Sequence, residues 1–401
     1  MKKIKFWESR GQRTRDKGGM FDKLVDMPLR LGQRYAMMKE DMRGTPLTLE
    51  FPNNMNGGIV TISEGFAGRM WFSVNGGSRV MIPLASFNIP AQPGDKISLF
   101  ANGVETQEDV GYMEPSGEFL NINCSEFCFV YGNAMSLVRA DGFEDLTEIH
   151  RYALRELFEG NENIHNHFSK DIVLPATKLA TGCYMYMFSG CTGITRMPEL
   201  PATELAEACY ANMFSGCSGL LEASGLPATT LAVRCYFYMF EHCAFLRATP
   251  SLPATTMAKD CYLSMFENCF NLVDVSPLPA MELDEGCYKF MFHRCIELKS
   301  APELPATTLA KHCYEGMFSS CLSLKKTPKL PAKKLAEACY PFMFAACQDL
   351  KQPPALPATT LTENCYSGMF YCCYNLKRRP SLPAKKLAKN CYKDMFLGCK
   401  V

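Results

Sequence analysis

A 26-residue unit returns nine times, without insertion, between Leu174 and Cys399. Its first cysteine falls at Cys183, Cys209, Cys235, Cys261, Cys287, Cys313, Cys339, Cys365 and Cys391. Leu-Pro-Ala, Cys-Tyr, Met-Phe and a second cysteine, Cys191 through Cys399, are present in every copy. A unit this short cannot bury its own apolar face. Self-similarity at a period of about 20–50 residues lets neighbouring copies bury it for each other, which is the sequence mark of a solenoid.

Within one unit Leu179, Cys183, Met187 and Cys191 step by four, with Tyr184 and Phe188 beside them. That stripe predicts a helical segment that begins after Pro-Ala-Thr and stops near Gly190. The remainder, residues 194–198, is too short for a helix and reads as a strand forming one rung of a parallel ladder. Pro198, Pro250 and Pro302 lack the N–H that such a ladder needs and should end it. One strand and one helical segment per unit predict an α/β solenoid of the leucine-rich-repeat size class.

The run LPATELAEACYANMFSGCSGLLEASGLPATTL resembles the BspA-like leucine-rich repeats of gut Bacteroidales and their phages, a resemblance that covers roughly residues 130–401. It implies a right-handed superhelix with an adhesion or interaction role, and no catalytic residues.

Residues 45–145 have a different texture. Segments 47–51, 58–63, 70–74, 79–82, 96–100, 119–123 and 127–131 read as short strands, with turn signals at Asn75-Gly76-Gly77 and Pro93-Gly94-Asp95. They predict a small all-β module of sandwich type. Its join to the repeats, GNAMSLVRADGFEDL, resembles the corresponding join in related gut phage and Bacteroidales proteins. Residues 146–173 read as a degenerate first unit, with Tyr152, Leu157 and Phe158 echoing the Tyr and Met-Phe positions; a polar, atypical unit is what a cap should be. At the other end no cap is visible after Cys399, so the last rung is expected to be shielded by its charges or covered by a partner.

The net charge of +1 hides an uneven distribution. Residues 1–44 carry twelve Lys/Arg against six Asp/Glu, and residues 321–401 carry fourteen against four. Surfaces of opposite sign point to specific interaction more than to generic nucleic-acid affinity. Residues 1–44 also hold Phe21, Leu24, Val25, Leu29, Leu31 and Tyr35, enough apolar mass to dock on another protein; the expectation is an anchoring arm, with a disordered tail as the alternative. No apolar run approaches the length of a membrane span. The opening MKKIKFWESRGQRTR has basic residues but no apolar stretch of a secretory leader.

Eighteen of the 21 cysteines occupy the two repeat columns, eight residues apart. On a continuous helix that is about 12 Å, beyond the Cα separation of about 7 Å that a disulfide spans. Stacked free thiols in a core are expected. The spacing lacks the CxxC pattern of zinc sites, so no metal or other cofactor is foreseen. His165-Asn166-His167 spells part of a nuclease motif without its surroundings, and His242, His293 and His312 fall at variable positions. Cys372 also sits at a variable position and should be more exposed than Cys373. No Ser-His-Asp set, phosphate loop or catalytic carboxylate pair presents itself, and the expected class is non-enzymatic.

The most suggestive surface feature is basic. Lys299, Lys325, Lys351 and Lys377 share one repeat position directly after the rung leucine, Lys326 and Arg378 follow at the next, and Lys333/Lys334 and Lys385/Lys386 replace the usual Thr-Thr. Stacked at the strand spacing of about 4.8 Å, such a column either binds an anionic partner or forms a solvated face. No aromatic residues interleave with it, which argues against nucleic acid.

These readings give a modular interaction protein: arm 1–44, β module 45–145, cap 146–173 and repeats 174–401. The expected setting is a phage virion, with the arm held by other particle proteins and the repeats displayed to bacterial surface or mucosal glycans. A Bacteroidales cell-surface adhesin and an intracellular protein-binding scaffold in the cytoplasm are the alternatives. The sequence sets no oligomeric state.

Overall fold

Strands alternate inward and outward residues, and the segment after Pro46 keeps that rhythm wherever two sheets have to share a core. The computed structural model describes residues 39–63, 69–83, 86–102 and 119–401. The anchoring arm expected over 1–44 therefore lies, up to residue 38, outside the described residues. Eight strands build the β module: β1 (Thr48–Glu50), β2 (Gly58–Ile62), β3 (Arg69–Val74), β4 (Val80–Ile82), β5 (Phe87–Ala91), β6 (Lys96–Asn102), β7 (Ile122–Cys124) and β8 (Cys128–Asn133). Seven match the segments read from sequence. The eighth, β5, is missing from that reading because Pro90 falls inside it; β5 is an edge strand, where a proline is tolerated.

Strands β5-β2-β7 form one antiparallel sheet, and β8-β1-β6-β3-β4 form the spine of the other. Leu47, Leu49, Phe51, Val60, Ile62, Ile97, Leu99 and Val130 are buried between them. The second sheet does not stop at the module. Two further strands, β9 (Ile164–Asn166) and β10 (Ile172–Val173), come from the cap segment and pair parallel to β8. The boundary drawn at residue 145 is thus crossed by a sheet, and residues 40–401 make one compact unit.

The helical half of the repeat does not form. Among the described residues the only helix is 3-10, at Ala134–Leu137 and Phe143–Asp145. Each unit is instead a chain of overlapping tight turns. In the first copy Cys183, Met185, Met187, Ser189 and Cys191 donate their N–H to the carbonyl three residues back, at 3.0–3.3 Å. The N–H groups of Gly182, Tyr184, Tyr186, Phe188 and Gly190, between them, reach across to Glu207, Cys209, Ala211, Met213 and Ser215 of the next copy, at 2.7–3.0 Å. Half of the main-chain donors close turns and half join units. This alternation needs a left-handed residue every fourth position, and Gly182, Tyr186 and Gly190 have φ of +59°, +57° and +75°.

The rungs predicted at 194–198 and its equivalents reduce to single parallel bridges such as Arg196↔Glu222, Ala248↔Asp274 and Ser300↔Lys326. A second line of bridges runs through Lys178↔Glu204, Thr230↔Thr256, Glu282↔Thr308 and Lys334↔Thr360. Between them lies a ladder core. Tyr184, Tyr210, Tyr236 and their successors stack nearly parallel with ring centroids 5.5–5.9 Å apart. Phe158, Phe188, Phe214 and theirs stack at 5.4–5.9 Å. Each aromatic contact adds about 0.5–1.5 kcal/mol to the burial itself.

The cysteines line these ladders without pairing to one another. Every second-column thiol donates to the carbonyl of the ladder phenylalanine in the preceding unit, from Cys191 on Phe158 to Cys399 on Phe370, at 2.9–3.2 Å. Burial pushes the thiols of Cys183, Cys191, Cys209, Cys217 and Cys261 up, Cys209 and Cys261 to about 12. The helical spacing argument for free thiols does not apply to a turn chain, and the column geometry takes its place.

In the cap, Leu154, not Tyr152, sits at the tyrosine level, donating its N–H to the Cys183 carbonyl at 2.9 Å. Tyr152 occupies a left-handed position, φ +54°, and its ring lies over Gly182. Bridge Glu148↔Lys178 spans 30 residues where Lys178↔Glu204 spans 26. The excess belongs to the longer return between Asn161 and Leu174, which holds β9 and β10. The Asn/His-rich filler is therefore the splice that joins the module to the repeats.

Candidate interaction surface

All six basic residues singled out from sequence are exposed: Lys299, Lys325, Lys326, Lys351, Lys377 and Arg378. The main chain ties five of them in two groups. Lys325 donates its N–H to the Lys299 carbonyl at 2.9 Å, Lys326 to the same carbonyl at 3.2 Å, and Lys377 to the Lys351 carbonyl at 3.0 Å. Lys326 also forms a parallel bridge with Ser300. Lys299 and Lys325, and Lys351 and Lys377, are thus held together at their roots.

Two unit charges about 4 Å apart repel by about 1 kcal/mol in bulk water, so an unpaired column carries a small cost that a polyanion would reverse. Lys325 is relieved by Asp349, at 3.5 Å. Among the described residues no carboxylate lies within ion-pair distance of Lys299, Lys351 or Lys377. Arg378 stands apart from them in its surroundings. It lines a cleft of about 330 Å³ with Pro353, Pro354, Leu356, Arg379 and Pro380.

Two features of this surface escaped the sequence reading. Ile296, Leu322 and Tyr374 stand at one repeat position three residues before Lys299, Lys325 and Lys377, and Tyr374 is 47% exposed. Three of the four lysine rungs therefore have an apolar neighbour across the buried rung leucine, and the Lys351 rung has Gln348. The second feature is a row of mixed sign at another repeat position, where Lys259 pairs with Glu285 at 3.2 Å, Lys311 with Glu337 at 3.0 Å and Lys389 with Glu363 at 2.9 Å. Comparing residues 26 apart would have found both, because each is a column property and no single unit shows it.

The other sites considered fall into structural roles. His165 lies on β9 with its ring stacked on Phe127 at 4.0 Å, and burial pulls its pKa down to about 4. His167 is buried against Phe168, Phe129 and Tyr131. His242 contacts Glu241 and Asn268, and His312 contacts Glu315, which also pairs with Lys289. Cys372 is partly exposed and Cys373 buried, as their columns imply. Among the described residues, no three His, Cys, Asp or Glu side chains converge as a metal site requires, and no helix is long and apolar enough to cross a membrane.

No family profile, curated protein or solved structure matches this chain.

Proposed function

We propose that this chain is a non-enzymatic interaction protein whose repeats coil as a right-handed leucine-rich-repeat solenoid and bind anionic glycans along the lysine column. The reading rests on one observation: four exposed lysines on one repeat position, with Lys299 tied to Lys325 and Lys351 to Lys377 through the main chain. A linear polyanion meets such a surface with many weak contacts at once, and its release of repulsion at Lys299, Lys351 and Lys377 favours the complex. The resemblance of the repeats to BspA-like proteins, together with the basic arm over 1–44, supports display on a phage particle facing bacterial surface or mucosal glycans.

The test is binding of the full chain to a sulfated or uronic-acid polysaccharide and to a neutral one of equal length. Changing Lys325, Lys351 and Lys377 together to Ser is expected to weaken the acidic polysaccharide about tenfold or more, the effect of losing about 1.4 kcal/mol, and to leave the neutral one unchanged. Equal affinity before and after the substitution removes the glycan reading. Mass spectrometry of purified phage particles tests the setting, which is lost if the polypeptide is not in them.

A further inference from the structure

We infer that Cys124 and Cys128 form a built-in disulfide site that closes, in an oxidising compartment, across the seam between the two sheets. Their sulfurs lie 3.3 Å apart, and both residues are buried. A disulfide needs a sulfur separation of about 2.05 Å, so small side-chain rotations close the gap. Among the described residues no other cysteine pair shows a direct sulfur-to-sulfur contact. The second-column thiols are each engaged with a phenylalanine carbonyl; in the first column Cys183, Cys313 and Cys365 face a neighbouring carbonyl at 4.0 Å, and Cys261 faces the Met257 sulfur at 3.9 Å. The pair therefore differs in kind from the repeat cysteines, not only in position.

Its location gives the bond a consequence. Cys124 ends β7, which belongs to the three-stranded sheet, and Cys128 opens β8, which belongs to the larger one. The cap grips both at the same level: the Asn163 side chain donates to the Cys124 carbonyl at 2.7 Å, and the Cys128 N–H donates to the Asn163 carbonyl at 3.0 Å. A bond here ties the two sheets together where the first repeat docks on them.

The chemistry balances with a low-molecular-weight disulfide as oxidant. One cysteine thiolate attacks it, releasing one small thiol and leaving a mixed disulfide; the second thiolate attacks the protein sulfur and releases the other small thiol. Two S–H bonds are lost and one S–S bond is gained, with both electrons carried off by the reduced oxidant. Because the folded pair is buried, closure occurs while the chain folds or during local opening of the seam.

Reduced, denatured protein refolded in a glutathione redox buffer and in dithiothreitol provides the test, followed by alkylation in denaturant and peptide mass spectrometry. From the glutathione arm, the peptide holding both residues is expected without alkyl groups and lighter by two hydrogens, and the repeat cysteines are expected alkylated. In dithiothreitol, all are expected alkylated. Cys124→Ser and Cys128→Ser should each abolish the change, and Cys235→Ser should not. Full alkylation of the pair in a glutathione buffer that oxidises a control dithiol overturns the inference, as does a disulfide joining repeat cysteines in its place.

Discussion

At the scale of single residues, the left-handed positions explain a pattern that composition hides. Tyr186, Asn212, Tyr238, Ser264, Phe290, Gly316, Phe342 and Gly368 share one column and alternate aromatic with small; each has positive φ, between +52° and +62°. A left-handed conformation costs a residue with a Cβ about 1–2 kcal/mol, and the hydrogen bonds to the next unit hold it in place. The alternation follows from space. A Cβ on Gly316 would meet the Phe290 ring at 2.1 Å, and one on Gly368 would meet the Phe342 ring at 2.3 Å. Gly316→Ala should therefore destabilise by about 1–3 kcal/mol, and adding Phe290→Ala should return part of the loss, read from urea midpoints in a double-mutant cycle. A ladder residue should cost more. Phe240 is fully buried between Phe214 at 5.8 Å and Phe266 at 5.5 Å, and Phe240→Ala should lose about 3–5 kcal/mol.

At the scale of elements, the repeat's periodicity was legible and its conformation was not. A stripe stepping by four fits a helix over two turns, but on a true α-helix it drifts by about 40° at each step. The Cys-Tyr, Met-Phe, Cys pairs show no such drift, and the columns at 182, 186 and 190 are rich in Gly, Asn, Asp and His, the residues that accept positive φ most readily. Both signals were present, and the amphipathic pattern outweighed them. In the β module, alternation and turn residues located most strands. The strands β9 and β10 were hidden because they are two or three residues long and are paired by β8 from outside their own unit. Lys299, Lys325, Lys351 and Lys377 were legible because charge in a column survives any error about the backbone between.

The splice also sets a pH dependence. His165 is held neutral by burial, with a folded pKa of about 4, against about 6.5 in an unfolded chain. The unfolded state takes up the proton first, so stability is intact above about 6.5, falls as pH drops through this window, and is fully lost to this group below about 4. Urea midpoints at pH 7 and pH 4.5 should differ more for the natural chain than for His165→Phe.

At the scale of the whole molecule, the repeats behave as equivalent joints, each made of the same turn-to-turn hydrogen bonds, stacked rings and thiol contacts. Removal of one complete unit, from Cys209 through Arg234, should leave a cooperatively folded protein, since Cys183 would then meet Cys235 as it met Cys209. Removal of half that segment should not, because the Tyr and Phe ladders would lose register. Circular dichroism through thermal unfolding separates the two outcomes.

Interchangeable joints have an evolutionary consequence. Unequal recombination between near-identical copies changes the copy number in whole units, and every product inherits a finished interior. Reach can then be adjusted in increments of one ring spacing, 5.4–5.9 Å along the phenylalanine stack, while selection acts separately on the side chains that face outward. A lineage built this way can vary what it touches, and how far away, without solving the folding problem again.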